Sequence, residues 1–309
     1  MAVLRAPGFP TILLVLSLTG CVRTLALNAA ADTLAGTGGV FASDEDPELV
    51  REAIPFGLKT YESILADLPE HRGLLLATAS GFTQYAYAFV QMDADFLDAT
   101  DLPRSREMRA RAQKLLLRAR DYGLRGLEVG HPGFRAGLRK DLAATLAATT
   151  RDDVPFLYWT GVAWAAALMS DKKNLDLVAD LPTAGALVQR VLELDEAYDG
   201  GAAHEFLVSY EGSRPEAMGG SAKRARHHYE RALAHSKGKR AGVYVALAES
   251  VSAREQNLPE FKRLLAAALE VDPEAAPGNR LLNTLMQRRA RWLLTRLPDL
   301  FVDVEEDKK

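Results

Sequence analysis

The chain has 309 residues, 48% of them apolar, which is enough for one large domain or two small ones with a substantial core. Lys plus Arg number 38 and Asp plus Glu 41, a net charge of −3, so no long-range field draws the chain to nucleic acid or an anionic surface. Alanine and leucine dominate over Ile, Val and Thr, a bias toward helix, and a single cysteine excludes an intrachain disulfide.

At the N-terminus, Arg5 and the free amine form a positive region, Phe9 to Leu18 an apolar run, and Thr19 and Gly20 a small-residue step before Cys21. This three-part order is that of a secretory signal. The apolar run is too short to cross a hydrocarbon core of about 30 Å as a helix, and Pro10 interrupts its start. Leu18-Thr19-Gly20-Cys21 resembles the lipobox of bacterial lipoproteins. The resemblance implies a signal peptide over 1–20, diacylglycerol transfer to the Cys21 sulfur, cleavage before it, and acylation (palmitate or similar) of the new N-terminus. Thiolate nucleophilicity is why the position must be cysteine. Val22 stands where an aspartate would resemble an inner-membrane retention signal, which favours the periplasmic face of an outer membrane in a host that has one. The alternative is an uncleaved N-terminal helix with an incidental cysteine.

Residues 21–46 are mostly small and polar and read as a lipidated N-terminus and tether, or a loose first helix, ending in the acidic turn Asp44-Glu45-Asp46-Pro47. From Pro47 helical patterns follow one another. They break at Asp67 to His71, Asp101 to Pro103, Gly130 to Gly133, Arg151 to Pro155, Asp180 to Pro182, Asp199 to Gly201, Gly212 to Gly220, and Asp272-Pro273. No stretch alternates with period two. The expected class is all-α, roughly a dozen helices, with one helical domain over 47–301 and a charged tail over 302–309.

The segment Ala222 to Lys237 places Ala225, Tyr229 and Ala232 on one face. Small–aromatic–small on the second helix of a hairpin is the tetratricopeptide pattern. The breaks at Lys237 and Pro273 lie 36 residues apart, near that repeat's length of about 34. In the next hairpin Tyr244, Leu247, Ala248 and Val251 suit the first helix, and Pro259 to Pro273 suits the second, with Phe261 where a small residue is expected. Weaker copies end near Pro69, Pro132 and Glu196. These features give tetratricopeptide-like hairpins in a right-handed superhelical array, against an irregular helical bundle.

Candidate binding residues are aromatic. Phe156 to Met169 is apolar on every face and reads as a buried helix: Tyr158, Trp159 and Trp164 either line a pocket or channel for an apolar ligand or are ordinary core. Phe82, Tyr85 and Phe89 form a second stripe, and the two stripes together define an expected cavity wall. His204, Tyr210 and Tyr244 complete the ligand or pore set. Gly200-Gly201 and Gly219-Gly220 sit at helix starts that can bind anions or simply cap and turn the chain. His227 and His228 point to different sides of a helix and lack a third ligand at clear spacing, so no metal site is expected. No hydrolase, zinc-protease or catalytic-cysteine motif occurs, so neither enzyme activity nor a cofactor is expected. Arg288, Arg289, Arg291 and Trp292 form a basic run on the last long helix, either a partner-docking face or a solvated one.

Gly200 to Phe206, Pro215 to Gly220, Ala225 to Leu233, Arg288 to Leu294 and Leu297 to Phe301, with the lipobox and the helical body, resemble the T component of TRAP transporters, the TatT family. That resemblance covers about Pro47 to Phe301. It implies a periplasmic lipoprotein, a homotrimer, and docking of the periplasmic TRAP substrate-binding protein, the P component, which delivers a small organic acid or apolar ligand to a permease. Val243 to Gln256 departs from the aromatic-rich form of the family, with Ala248 and Ser250 where larger rings are expected. The alternative function is a general tetratricopeptide lipoprotein in cell-envelope assembly; a third reading is a hydrolase whose acid–base cluster no linear motif shows.

Overall fold

Most of the expected breaks carry a helix start built from their own residues. Asp46 accepts hydrogen bonds from the Glu48 and Leu49 amides ahead of α1 (Pro47–Asp67), with Pro47 in the first helical position where its missing N–H costs nothing. His71 Nδ1 caps α2 (Arg72–Tyr85), and Asp101 caps α4 (Leu102–Gly130). Between them lies the short α3 (Met92–Leu97). Asp141 joins α5 (Phe134–Lys140) to α6 (Leu142–Ala147) and caps the latter. Then come α7 (Val154–Ser170), α8 (Leu181–Asp195), α9 (Ala202–Gly212), and α10 (Ala222–Ser236), which Ser221 caps. Next come α11 (Ala241–Leu247), α12 (Leu258–Glu270), capped by Asn257, and α13 (Arg280–Thr295), followed by the single turn α14 (Leu297–Leu300). The computed structural model describes residues 27–170 and 179–302. Cys21, the stretch 1–20 expected as a signal peptide, and the expected charged tail beyond Val302 lie outside that range. Among the described residues there is no strand, and the class is all-α as expected.

Two departures from regular helix were not expected. α2 runs into a π-helical segment, Ala86–Gln91, before α3, and α11 runs into another, Ala248–Ser252. The wider turn shifts the side-chain phase, so residues that a regular helix would send to other faces are redirected there.

The centre of the N-terminal half is α7, packed between α4 and α8. Its apolar faces are buried, as its sequence required. α4 and α7 run antiparallel, since Arg120 lies over the Trp164 ring and Gly126 faces Phe156. A Cβ on Gly126 would stand 1.9 Å from Phe156 Cε1, and one on Gly161 would stand 2.9 Å from the Ala184 carbonyl oxygen. Glycine at these two positions sets how closely α4, α7 and α8 approach.

In the C-terminal half, α9 and α10 form an antiparallel hairpin: His204 meets His228, and Glu211, near the other end, meets Arg224. α9, α11 and α13 lie side by side in one direction. Glu205 pairs with Arg240 at one end and Val208 accepts from Ser250 further along; Ala241 donates to Asn283, and Glu249 pairs with Arg289. Phe261 is fully buried and meets Phe301 edge-on at 5.1 Å, which accounts for a large ring where a small residue was expected.

The array returns to its own beginning. Arg288 pairs with Glu48 at 2.7 Å, Arg289 with Asp95 at 3.0 Å, and Trp292 packs on Phe96 at 5.2 Å. Arg280 donates to the Ser43 carbonyl. The described part of the 21–46 stretch is also fastened down. Residues 27–35 and Gly38–Ala42 are helical, Ala31 is fully buried, the Thr37 and Tyr61 hydroxyls lie 2.7 Å apart, and Asp32 pairs with His71. Among the described residues no helix is long and apolar enough to cross a membrane.

Candidate functional site

One π segment and the helix that follows the other deliver carboxylates to one guanidinium. Arg289, on α13 and 11% exposed, donates Nε and Nη2 to the two Glu249 carboxylate oxygens at 2.7 Å each and Nη1 to Asp95 at 3.0 Å. Glu249 belongs to the second π segment; Asp95 follows the first. Burial opposes the charge on Arg289, but Glu249, Tyr87 and Asp95 outweigh it and hold the guanidinium well above its ordinary pKa. Tyr87, from the first π segment, is 38% exposed, yet its hydroxyl is pushed up to about 12, first by burial and then by Glu249, Asp95 and Glu205 against the pull of Arg289.

A second buried pair continues this seam. Arg240 is 6% exposed and donates to Glu205 at 2.6 Å, to the Asp199 carbonyl at 3.0 Å and to Asn279 at 3.3 Å. Burial works against its charge, and Glu205 and Asp199 more than compensate, so it too stays above the ordinary arginine value. Asp199 holds positive φ, 44°, next to Gly200 and Gly201 at 61° and 86°, so this glycine pair makes the tight turn that brings Asp199 to Arg240. Tyr158 lies within the field of Arg240, Glu205 and Asp199, and burial raises its hydroxyl far above the usual phenol range. Two guanidiniums thus face Asp95, Glu249, Glu205 and Asp199. Each carboxylate is tied to a cation, an arrangement suited to holding a shape or a polar solute rather than to moving protons.

The aromatic candidates separate into different surroundings. Tyr158 and Trp159 meet edge-on at 5.0 Å, and Tyr198 packs on Tyr158 at 5.4 Å. Phe82 stacks on Tyr122 under Arg118, while Tyr85 and Phe89 pack together, under Arg111 and Arg51. Trp164 lies under Arg120, with its buried indole N–H unpartnered. Tyr210 donates to the Leu181 carbonyl beneath Arg214, and Tyr244 meets Tyr229. A surface groove on α4, lined by Lys114, Arg118, Tyr122 and Arg125 among others, contains none of these candidates. Of the basic run, Arg288, Arg289 and Trp292 are taken up by contacts within the chain, and Arg291 is exposed.

His204 belongs to another group. It is 3% exposed, with Nδ1 2.9 Å from His228 Nδ1 and Nε2 3.1 Å from Glu196 Oε1, and its ring stacks on His235 at 5.7 Å. Burial lowers the pKa of His204, partly offset by Glu196. His228 is pushed down to about 4, by burial first and then by the charge of His204 and His227.

Sequence reasoning missed Tyr87, Asp95, Glu205, Arg240 and Glu249 in the seam, and Glu196 and His235 beside His204. One signal was present. Val243 to Gln256, the stretch that departs from the expected aromatic form, contains the second π segment.

The family model for the TRAP transporter T-component matches residues 43–301, nearly the whole of this all-α body. A protein of Treponema pallidum (strain Nichols), described as an uncharacterized protein, is 33% identical over 268 residues, covering 85% of this chain and 83% of its own length. The chain belongs to the TRAP transporter T-component family.

Proposed function

We propose that this chain is the lipid-anchored scaffold of a TRAP-type solute uptake system and docks a periplasmic solute-binding protein. The observation that carries the reading is the family match, which spans essentially the whole helical body, from residue 43 to 301. The closed array supports it: a body whose last long helix is pinned to α1 by Arg288–Glu48 and to α3 by Arg289–Asp95 offers a partner a preformed surface. In this reading the tetratricopeptide-like hairpins form a right-handed array and the protein is a homotrimer. The solute passes beside the exposed Tyr87 ring, with Tyr158 and Trp159 lining its path, and Arg291 is available to the partner. Cys21 supplies the acyl anchor on the periplasmic face of the membrane.

The test is affinity purification of the full-length chain from detergent-solubilised membranes. Recovery of a solute-binding protein in fixed ratio is the expected result. Recovery of outer-membrane assembly factors without a solute-binding protein favours a general envelope-assembly role and overturns this one.

A further inference from the structure

We propose that Glu196, His204 and His235 form a binding site for a divalent transition metal, Zn²⁺ by the chemistry of its donors, which the Arg231 guanidinium occupies in the metal's place. Three elements converge here: Glu196 ends α8, His204 lies in the first turn of α9, and His235 lies in the last turn of α10. One donor atom from each lies within 4.8 Å of the others. Ligands about 2.0–2.1 Å from a tetrahedral Zn²⁺ stand roughly 3.3 Å from one another. His204 Nε2 is 3.1 Å and His235 Nε2 3.8 Å from Glu196 Oε1, so small side-chain rotations suffice. Two imidazoles and a carboxylate, with a fourth position left for water, match the preferences of Zn²⁺.

The surroundings do what an outer shell must. A metal-bound histidine needs an acceptor for its other N–H, which fixes ring and tautomer. His228 Nδ1, 2.9 Å from His204 Nδ1, is that acceptor. Without metal, His228 Nδ1–H donates to His204 Nδ1 and His204 Nε2–H donates to Glu196. With metal, His204 carries its proton on Nδ1 and His228 on Nε2, so both rings stay neutral and no net proton is released from the pair. Burial, which disfavours charge on His204 and His228, keeps both imidazoles neutral as metal binding requires. Gly201 allows the close approach that fixes His235: a Cβ there would stand 2.8 Å from His235 Cβ. Glu196 is 43% exposed and His235 20%, so the site opens to solvent while His204 anchors its floor.

Arg231 shows that the pocket accepts a cation. Its Nη2 lies 2.7 Å from Glu196 Oε1 and 3.3 Å from His235 Nε2, between two of the proposed ligands. At 40% exposure the arginine can swing into water and yield its place. Metal affinity is then a competition between the ion and a tethered guanidinium.

Titrating the mature chain, free of any histidine tag, with Co²⁺ and reading its d–d absorbance tests this directly, with Zn²⁺ added to displace it. Arg231→Ala is expected to take up one Co²⁺ per chain with a tetrahedral spectrum, at least tenfold tighter than the unsubstituted protein. Adding His235→Ala or His204→Ala to that background abolishes the spectrum, with retained helix content by circular dichroism showing that the fold persists. Adding His228→Ala weakens binding by about 10–100-fold, the usual effect of losing an outer-shell partner. His227→Ala changes nothing. Absence of saturable one-to-one binding in Arg231→Ala, or an unchanged spectrum after loss of His235, overturns the proposal.

Discussion

Arg289 and Asp95 are 194 residues apart in sequence and 3.0 Å apart in space, and their pairing holds the end of the helical array against its start. The same guanidinium grips Glu249, so one cation stabilises both carboxylates in a buried seam. Arg289→Ala removes the cation paired with Glu249 and leaves Asp95 to Arg109, 3.0 Å away. The expected loss is about 3–5 kcal/mol of unfolding free energy, the usual result of removing one partner of a buried ion pair. Arg291→Ala, two residues on and exposed, is expected to change stability by no more than about 0.5 kcal/mol. Urea denaturation of both variants makes the comparison, and equal effects would show that the closure carries no stability.

The close approach of α7 and α8 is testable at Gly161. An alanine methyl there meets Val188 Cγ2 at 2.7 Å and the Ala184 carbonyl oxygen at 2.9 Å. Val188 can adjust, but the backbone oxygen moves only with its helix. Gly161→Ala is expected to cost about 1–3 kcal/mol by overpacking, whereas Gly57→Ala, with nothing within 4 Å, is expected to be neutral or slightly stabilising. Thermal unfolding of the two variants checks the order.

The histidine pair sets a pH dependence. His228 titrates near 4 in the folded protein, below the histidine value of 6.5, chiefly because burial disfavours its charge. Between those values the unfolded chain binds more protons than the folded one, so stability falls as pH drops from about 6.5 toward 4 and levels off below. His228→Gln is expected to remove part of that slope while leaving stability at pH 8 changed far less. Chemical denaturation at intervals from pH 4 to 8 measures it, and identical slopes in both proteins would contradict the assignment.

The helix boundaries were legible in the sequence because the residues that end helices act locally. Asp46, Asp101, Ser221 and Asn257 each cap the helix that follows them, and proline stands early in several of those helices. The burial of α7 was legible for the same reason, since one helix apolar on every face needs no partner to be recognised. The seam was not legible. Arg289 read as part of a basic surface run because Glu48, Asp95 and Glu249, which neutralise it and Arg288, lie 40 to 240 residues away. The π segments were also hidden, since a local slip in phase leaves no mark in composition. His204 stood out beside Gly200-Gly201, but its partners come from two other helices at spacings that match no local motif.

The proposed acylation of Cys21 makes a separate expectation. Cys21→Ala in the full-length chain is expected to release the protein from membranes after salt and carbonate washing while leaving its helix content unchanged. Retention on the membrane by the alanine variant would require another means of attachment.

What the helical body holds at the membrane decides the proposed role. The most direct measurement is the native mass of the complex extracted from its own membranes, followed by the masses of its components after dissociation. A multiple of this chain, three copies by the proposal, together with a solute-binding protein in fixed ratio is the expected result. The chain alone, or bound only to envelope-assembly proteins, would contradict it.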